Sequence, residues 1–285
     1  RSDRDWSSDV CSSDLASQLF AAEDVQVRAA HLAPFSDGDT SVNIFVTTYG
    51  ILNKAYNQSS QYIPRSGDGA VVRVELAADN SFVLSDTITY EDSTDYTVLV
   101  VGDGNNQPLE IVQLTDTTEA PADGNFKLRL GHYAPFAAGI EATRADVRFD
   151  NGDPVLENVA FGDVSDFIEL PAGEYDLQVT TPGGDTTLIN IEPETFESGE
   201  VVSVYVTGDG TNQPLGAFLY ASEGFGVPMD LEVEEPPAPS CFASASTGTS
   251  FEFTYANIPE GSTVTRNGVD FITISGDGRS EERRV

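Results

Sequence analysis

The sequence predicts an all-β protein built from two tandem antiparallel, immunoglobulin-like β-sandwich domains followed by a truncated β-rich C-terminal segment. Three observations support this prediction. Apolar and polar residues alternate with a period of two, two long segments repeat one another, and 25 Gly and 15 Pro separate the short apolar runs. Long windows with the spacing of an amphipathic helix are missing.

The repeat rests on two motifs that return in the same order. The segment 27–35, which contains His-Leu-Ala-Pro-Phe, returns 101 residues later at 128–136, and the segment 101–109, Val-Gly-Asp-Gly-Asn-Asn-Gln-Pro-Leu, returns 106 residues later at 207–215. A kept order with a spacing that changes by five residues is expected of a duplicated domain of about 95 residues, whereas solenoid repeats are shorter.

Each copy contains several short strands. Tyr175, Leu177 and Val179 alternate with polar residues, which places the apolar set on one face of a half-buried strand. Turn sequences separate such runs, and about seven strands per copy is the pattern of a β-sandwich. Gly102-Asp-Gly104 and Gly208-Asp-Gly210 each follow one apolar run and precede another, which predicts hairpins.

The domain organisation follows from the repeat and from shifts in composition. Residues 1–15 and 279–285 resemble translated sequencing-adapter sequence and are set aside as artefacts. For the rest we predict module 1 at 24–115, a linker at 116–125, module 2 at 126–220, an acidic Pro-rich linker at 221–240 and a partial third β domain at 241–278.

The charge excludes several partners. The chain carries 47 acidic and 14 basic residues, a net charge of −33. Such a surface repels the phosphates of nucleic acids and anionic lipids, and it favours a soluble monomer. No apolar run approaches the roughly 18 to 20 residues that a membrane-spanning helix needs.

A family resemblance follows from three segments of the second copy: Leu128–Pro135, Ala145–Phe149 and Phe161–Tyr175. In order and spacing they resemble the domain of unknown function 4397 family of bacterial and archaeal cell-surface and secreted proteins. The first copy departs from the pattern at Tyr62–Ala70. The resemblance implies an extracellular or cell-surface β-sandwich module, often in tandem, without an established activity or catalytic residues.

The histidines have two interpretations. His31 and His132 are the only imidazoles of the chain and occupy the same place in the two copies, ahead of Pro34 and Pro135. A hydrolase would need one of them beside a nucleophile and an acid. We favour a structural role, a hydrogen bond that closes the end of the strand, and we treat all four motif residues as structural.

The acidic loops suggest calcium as a weak candidate ligand. Hard cations take oxygen ligands from carboxylates and loop carbonyls. The candidate ligands are Asp37, Asp39, Asp103, Asn105, Asp209 and Asn212. The order of residues in an EF-hand is not met, so plain turns are the favoured interpretation, and we expect no other cofactor.

These observations predict a non-enzymatic secreted or cell-surface repeat protein that acts as a structural spacer or an adhesion module, with an extracellular protein or a glycan as partner. A carbohydrate-binding accessory module is the first alternative, and a hydrolase using His31 or His132 is the second. An aromatic binding platform would draw on Tyr49, Tyr56, Tyr62, Tyr133, Phe161 and Phe167, although we expect most of these in the core.

Overall fold

The computed structural model describes residues 25–38, 40–117, 119–222 and 224–232, and the backbone of four further strands between residues 240 and 273. Residues 1–15, Asp39, the linker segment 233–239 and residues 279–285 lie outside the described residues. The chain divides into two compact units, with the boundary after Glu232. Apart from one four-residue 3-10 helix, every regular element described is a strand, which confirms the predicted all-β class.

Module 1 contains two sheets. The first, here called inner sheet 1, has the strand order β4-β1-β8-β9, with β5 also paired to β1, and the second, outer sheet 1, has the order β3-β2-β6-β7. The strands are β1 (Val25–His31), β2 (Val42–Val46), β3 (Tyr49–Lys54), β4 (Gln58–Ser59), β5 (Ile63–Arg65), β6 (Gly69–Leu76), β7 (Phe82–Thr89), β8 (Tyr96–Val101) and β9 (Glu110–Thr115).

Module 2 repeats this plan. Inner sheet 2 has the order β13-β10-β18-β19-β20, outer sheet 2 has the order β12-β11-β15-β16, and β14 pairs with β17. The 3-10 helix is Ile140–Thr143, and the strands are β10 (Asn125–His132), β11 (Ala145–Phe149), β12 (Pro154–Val159), β13 (Ile168–Pro171), β14 (Gly173–Tyr175), β15 (Leu177–Thr180), β16 (Thr187–Asn190), β17 (Glu194–Phe196), β18 (Val201–Thr207), β19 (Gly216–Ala221) and β20 (Val227–Pro228).

The pairing of strands shows the duplication directly. In each copy the first strand pairs in parallel with a late strand, β1 with β8 and β10 with β18, and that late strand forms an antiparallel hairpin with the next, as the Gly-Asp-Gly turns predict. The parallel pair was not predicted, because alternation fixes the face of a residue and not the direction of its strand. β5 pairs with β1 as β13 pairs with β10, so Tyr62–Ala70 departs in sequence but keeps its structural place.

Three hydrophobic cores hold the first unit together. One core lies within module 1, a second lies within module 2, and a third draws residues from both inner sheets. The four sheets therefore stack in the order outer 1, inner 1, inner 2, outer 2. Burial follows this order, since all six residues of β8 are buried, whereas in β6 of outer sheet 1 buried and exposed residues alternate.

The second unit contains two antiparallel hairpins. β21 (Ser240–Ala245) pairs with β22 (Phe251–Ala256), and β23 (Thr263–Arg266) pairs with β24 (Val269–Thr273). The alternating run that begins at Phe251 therefore forms the strand β22. Among the residues described, no helix is long and apolar enough to cross a lipid bilayer.

Candidate functional site

The two histidines close the ends of the first strands of the modules. His31 and His132 are fully buried, and their Nε2 atoms lie 2.9 Å and 2.6 Å from the backbone oxygens of Thr40 and Thr143. Burial lowers the pKa of His31 to about 4 and also lowers the pKa of His132. Both imidazoles are therefore neutral at pH 7, with Nε2 donating to the carbonyl, which is the geometry of a structural histidine.

The histidines are also packed against the phenylalanine of their own motif. The ring centroids of His31 and Phe35 lie 5.5 Å apart, and those of His132 and Phe136 lie 5.6 Å apart. Neither histidine lines either of the two main clefts among the described residues. The arrangement gives no support to the hydrolase alternative, because a general base must reach its substrate.

The Gly-Asp-Gly turn of module 1 is organised around one carboxylate. Oδ1 of Asp103 accepts hydrogen bonds from the backbone N–H groups of Asn105, Asn106 and Gln107, at 3.1, 2.8 and 2.8 Å. Gly102 has φ 85°, and a Cβ there would lie 1.9 Å from the carbonyl oxygen of the residue opposite, so only glycine fits. The turn therefore holds the side chains of residues 106 and 107 in fixed directions.

Module 2 builds the same turn. Oδ1 of Asp209 accepts hydrogen bonds from the N–H groups of Thr211, Asn212 and Gln213, at 3.0, 2.8 and 2.9 Å. Both aspartates are buried, and Oδ1 of each is occupied by its own turn.

Each turn binds the histidine motif of the other module. Nδ2 of Asn106 donates to the carbonyl oxygen of Pro135 at 3.0 Å, and Nε2 of Gln107 donates to that of Ala137 at 3.1 Å. The motifs that identify the repeat in the sequence are thus in contact across the module boundary.

The reverse contacts are equivalent in residue and in distance. Nδ2 of Asn212 donates to the carbonyl oxygen of Pro34 at 3.0 Å, and Nε2 of Gln213 donates to that of Ser36 at 3.1 Å. These four bonds relate the modules by an approximate two-fold axis. In such an arrangement a residue of one module contacts a different residue of the other module, and the equivalent pair makes the same contact in reverse.

A buried arginine stands at the same place in each inner sheet. Nε of Arg28 in β1 donates to Oγ1 of Thr97 at 2.8 Å, and Nε of Arg129 in β10 donates to Oγ of Ser203 at 3.0 Å. Nη1 of Arg28 then donates to the last carbonyl of β19, and Nη1 of Arg129 donates to the last carbonyl of β9 at 2.8 Å. Each arginine thereby ties its own sheet to the inner sheet of the other module, Arg28 through β19 and Arg129 through β9.

One carboxylate serves both arginines. Asp116 follows β9 and is buried; its Oδ1 accepts a hydrogen bond from Nη2 of Arg129 at 2.6 Å. Its Oδ2 accepts from the hydroxyls of Thr97 and Tyr62, both at 2.6 Å, and lies 3.6 Å from Nε of Arg28. Both carboxylate oxygens are bonded, and the single negative charge of Asp116 offsets part of the charge of the two guanidinium groups.

Aromatic rings cover the guanidinium groups. The Arg28 guanidinium lies over the rings of Tyr220 of module 2 and Tyr62 of module 1, 3.8 and 4.6 Å from their centroids, and that of Arg129 lies 4.7 Å from the ring centroid of Phe167. Burial raises the pKa values of Tyr62 and Tyr220, so both phenols keep their protons. The hydroxyl of Tyr220 donates to the backbone oxygen of Ser60 across the interface.

The other sequence-predicted aromatic residues do not form a platform. Tyr133 and Phe161 are buried in the core between the inner sheets, Tyr56 is half-buried beside His31, and Tyr49 is exposed beneath the guanidinium of Arg65. Most of the set is thus core or half-buried, as the sequence indicates.

The calcium candidates are spread over separate turns. Asp37 is exposed in the loop after β1, Asp39 lies outside the described residues, and Asn105 is exposed beside Asp103. Within the described part of the chain, no three acidic, histidine or cysteine residues are grouped closely enough to hold a metal ion. Calcium binding stays a prediction, with Asn212 already engaged at the interface.

In the part of the chain that the structure describes, two clefts border the interface. The larger, of about 680 Å³, is lined by module 1 residues next to β4 and by module 2 residues from β19 to β20, among them Lys54, Asn57, Gln58, Gln213, Phe225 and Met229. The smaller, of about 520 Å³, includes Gln26, Tyr62 and Asp95. The larger cleft combines one cation, several amides and an exposed ring.

Sequence reasoning did not find Arg28, Arg129 or Asp116. A signal was present, because an arginine stands between apolar residues three positions before each histidine, in Val-Arg-Ala-Ala-His and in Leu-Arg-Leu-Gly-His. A charged residue at the same place in two apolar strands indicates a buried ion pair. Asp116 gave no such signal, since it lies in a Thr- and acid-rich stretch typical of a linker.

The fold and the interface define a tandem β-sandwich protein whose copies are packed against each other. The family described as Domain of unknown function (DUF4397) matches residues 25–143 and again residues 137–224, so the chain belongs to that family. No curated protein sequence matches the chain.

Among solved structures, the chain is similar to one described as "Product complex of a multi-modular glycogen-degrading pneumococcal virulence factor SpuA", with 8% identity and a TM-score of 0.23. The match covers 88% of this chain and 27% of that one, so this chain spans about a quarter of that protein.

Proposed function

We propose that the two modules act as one rigid, non-enzymatic structural unit of a secreted or cell-surface protein, as a spacer or an adhesion module. The observation that carries the proposal is the reciprocal interface, in which each Gly-Asp-Gly turn binds the histidine motif of the other module. The most recognisable residues of the repeat are thus used to fix the geometry between the modules.

The buried charges support rigidity. The bonds that Arg28 and Arg129 make with the last carbonyls of β19 and β9 in the opposite modules require a defined position of each sheet. Displacement of the modules would leave buried donors and Asp116 without partners, which costs far more than loss of an exposed contact. A spacer with this interface keeps a fixed distance between its ends.

The acidic surface supports a location outside the cell. A net charge of −33 keeps separate chains apart from one another and away from anionic surfaces. The resemblance of the motifs to secreted and cell-surface proteins points the same way. Antibodies against this chain are expected to label intact cells of the source organism, and labelling of permeabilised cells alone would contradict this location.

Rigidity is tested by a distance measurement across the modules. Spin labels at Ser85→Cys on β7 and Thr195→Cys on β17, in a Cys11→Ser, Cys241→Ser background, report the distance between exposed strands of the two modules. We expect one narrow distribution by electron–electron double resonance, and a broad distribution when Asp116→Asn is added. A broad distribution in the parent chain would contradict the spacer.

A carbohydrate-binding function is a second candidate, favoured by the larger cleft. Its exposed Phe225 is a side chain on which a sugar ring stacks, and Asn57 and Gln58 offer amides to the sugar hydroxyls. Binding on a glycan array that is lost in Phe225→Ala and kept in the control Phe82→Ala would support it. An array without binding would remove it.

A further inference from the structure

The two faces that meet at the interface differ in size at equivalent positions. In module 1 the positions hold aliphatic side chains, and in module 2 they hold aromatic ones, in the pairs Leu32 and Tyr133, Leu99 and Tyr205, Val112 and Phe218, and Leu114 and Tyr220. All eight residues belong to or pack against one hydrophobic cluster. Module 1 therefore presents an aliphatic face, and module 2 presents an aromatic face.

The aromatic face needs a glycine to accommodate its rings. Gly131 in β10 is the equivalent of Ala30 in β1, and a Cβ at residue 131 would lie 2.8 Å from the ring of Tyr205 and 3.2 Å from that of Tyr133. The methyl group that module 1 carries is thus excluded from module 2. The loss of a methyl group at residue 131 and the presence of large rings beside it therefore belong to one difference in shape between the two faces.

Like faces would fit poorly. Two aromatic faces would bring Tyr205 and its neighbours against identical rings around the two-fold axis, in a space that now takes aliphatic side chains, and overpacked cores are destabilising. Two aliphatic faces would leave voids where the rings now lie, and unfilled volume is also costly.

Charge also opposes the pairing of two module 2 faces. Asp116 follows the last strand of module 1, and the equivalent position of module 2 holds Ser222, which is exposed. A pair of module 2 faces would bury Arg129 twice without that carboxylate. A buried guanidinium without an acid is strongly unfavourable.

We propose that the aliphatic and aromatic faces form a heterotypic recognition pair, in which module 1 selects a face of the module 2 type and rejects its own kind. The inference goes beyond the spacer function, because it identifies the residues that determine the partner. Where two copies of this chain associate through these faces, module 1 of one chain binds module 2 of the other.

The first test uses the whole chain with a protease site inserted between Ala120 and Pro121. The folded chain is first cleaved at this site. Cleaved samples with and without ¹⁵N label are then mixed, unfolded and refolded together. The masses of the refolded pairs are measured by native mass spectrometry. We expect every pair to contain one module of each kind, with the labels at random. Pairs of like modules in the random proportion of roughly one in two would overturn the proposal.

The second test keeps the chain intact and does not depend on refolding of the fragments. Leu99→Tyr is expected to lower Tm by roughly 3 to 10 °C, because it adds a ring to the packed cluster that contains Tyr205. Adding Tyr205→Leu, which transfers the smaller side chain to the other face, is expected to recover part of that loss. Additive losses in the double variant would contradict size matching between the faces.

Two controls belong to this cycle. Tyr205→Phe isolates the effect of the hydroxyl that accepts a hydrogen bond from Nη2 of Arg129 at 2.9 Å. Leu52→Tyr makes the same change as Leu99→Tyr at an exposed site on outer sheet 1, and it is expected to leave Tm unchanged.

Discussion

Modules 1 and 2 share a topology but contribute different residues to their interface. Both supply a histidine that closes a strand, a Gly-Asp-Gly turn that binds the opposite module and a buried arginine. Module 1 alone supplies the carboxylate, Asp116, and module 2 alone supplies the rings of Tyr205 and Tyr220. The features that both modules share therefore fix the position of one module on the other. The features that differ between the modules determine which two faces fit together.

The largest expected effect comes from removing the carboxylate of Asp116, which only module 1 supplies. Asp116→Asn leaves Arg129 and Arg28 buried without a compensating charge, so the free energy of unfolding is expected to fall by about 3 to 5 kcal/mol. Urea denaturation measures the change.

The matched control is Ser222→Asn at the equivalent, exposed position of module 2, where a change within about 0.5 kcal/mol is expected. Equal effects of the two substitutions would show that the carboxylate has no special role in joining the modules.

The histidines provide a test by pH. The folded-state pKa of His31 is about 4, below the value of about 6.5 in an unfolded chain, so the unfolded state binds more protons between these values. Stability contributed by the neutral imidazole is complete above about pH 6.5 and falls by at most about 1.4 kcal/mol per pH unit as the pH drops towards 4.

The measurement is urea denaturation at pH 7, 6 and 5 for the parent, His31→Gln and His132→Gln. Each glutamine keeps an N–H donor for the carbonyl of Thr40 or Thr143 but does not titrate. Each variant is expected to show a shallower loss of stability on acidification than the parent. Identical slopes would mean that the buried imidazoles do not control stability in this range.

A smaller effect is expected from the glycine that makes room for the aromatic face. Gly131→Ala places a methyl group 2.8 Å from the ring of Tyr205 and is expected to cost about 1 to 3 kcal/mol. The reverse change at the equivalent position, Ala30→Gly, introduces no clash and is expected to cost about 1 kcal/mol or less. Thermal unfolding compares the two, and an equal or larger loss in Ala30→Gly would contradict the shape difference.

The smallest effect concerns a single hydrogen bond across the interface. Tyr220→Phe removes the donor to the backbone oxygen of Ser60 but keeps the ring against Arg28, so about 1 kcal/mol is expected. Tyr175→Phe is the control within module 2, because its hydroxyl donates to the backbone oxygen of Pro171, which is exposed at the end of β13. Greater sensitivity to urea in the control than in Tyr220→Phe would argue against the interface bond.

The sequence was sufficient for the strands and the duplication, because both depend on local pattern. Gly102-Asp-Gly104 lies between paired strands as predicted, whereas the alternating run from Tyr175 to Thr180 is not the single strand that was expected: it is divided at Asp176 between the end of β14 and β15, which lie in different sheets. The family membership follows from the same motifs.

The packing of the modules was harder to predict, because it depends on contacts between distant residues. Tyr96–Val101 is apolar or small throughout, which is typical of a strand covered on both faces, yet the pattern does not say what covers it. Asp116 is drawn into the interface by Arg129 and Tyr62, and no local signal separates it from the acidic residues that follow. The alternation of residues also leaves the parallel direction of β1 and β8 open.

The central claim is that the two modules form one cooperative unit through their inner sheets, and native-state hydrogen exchange across a series of low urea concentrations tests it most directly. The slowest amides of β8 in module 1 and of β18 in module 2 are expected to exchange with the same opening free energy and the same dependence on urea, because neither module unfolds alone. If β18 remained protected under conditions in which β8 had opened, or the reverse, the modules would be independent domains and the account would be wrong.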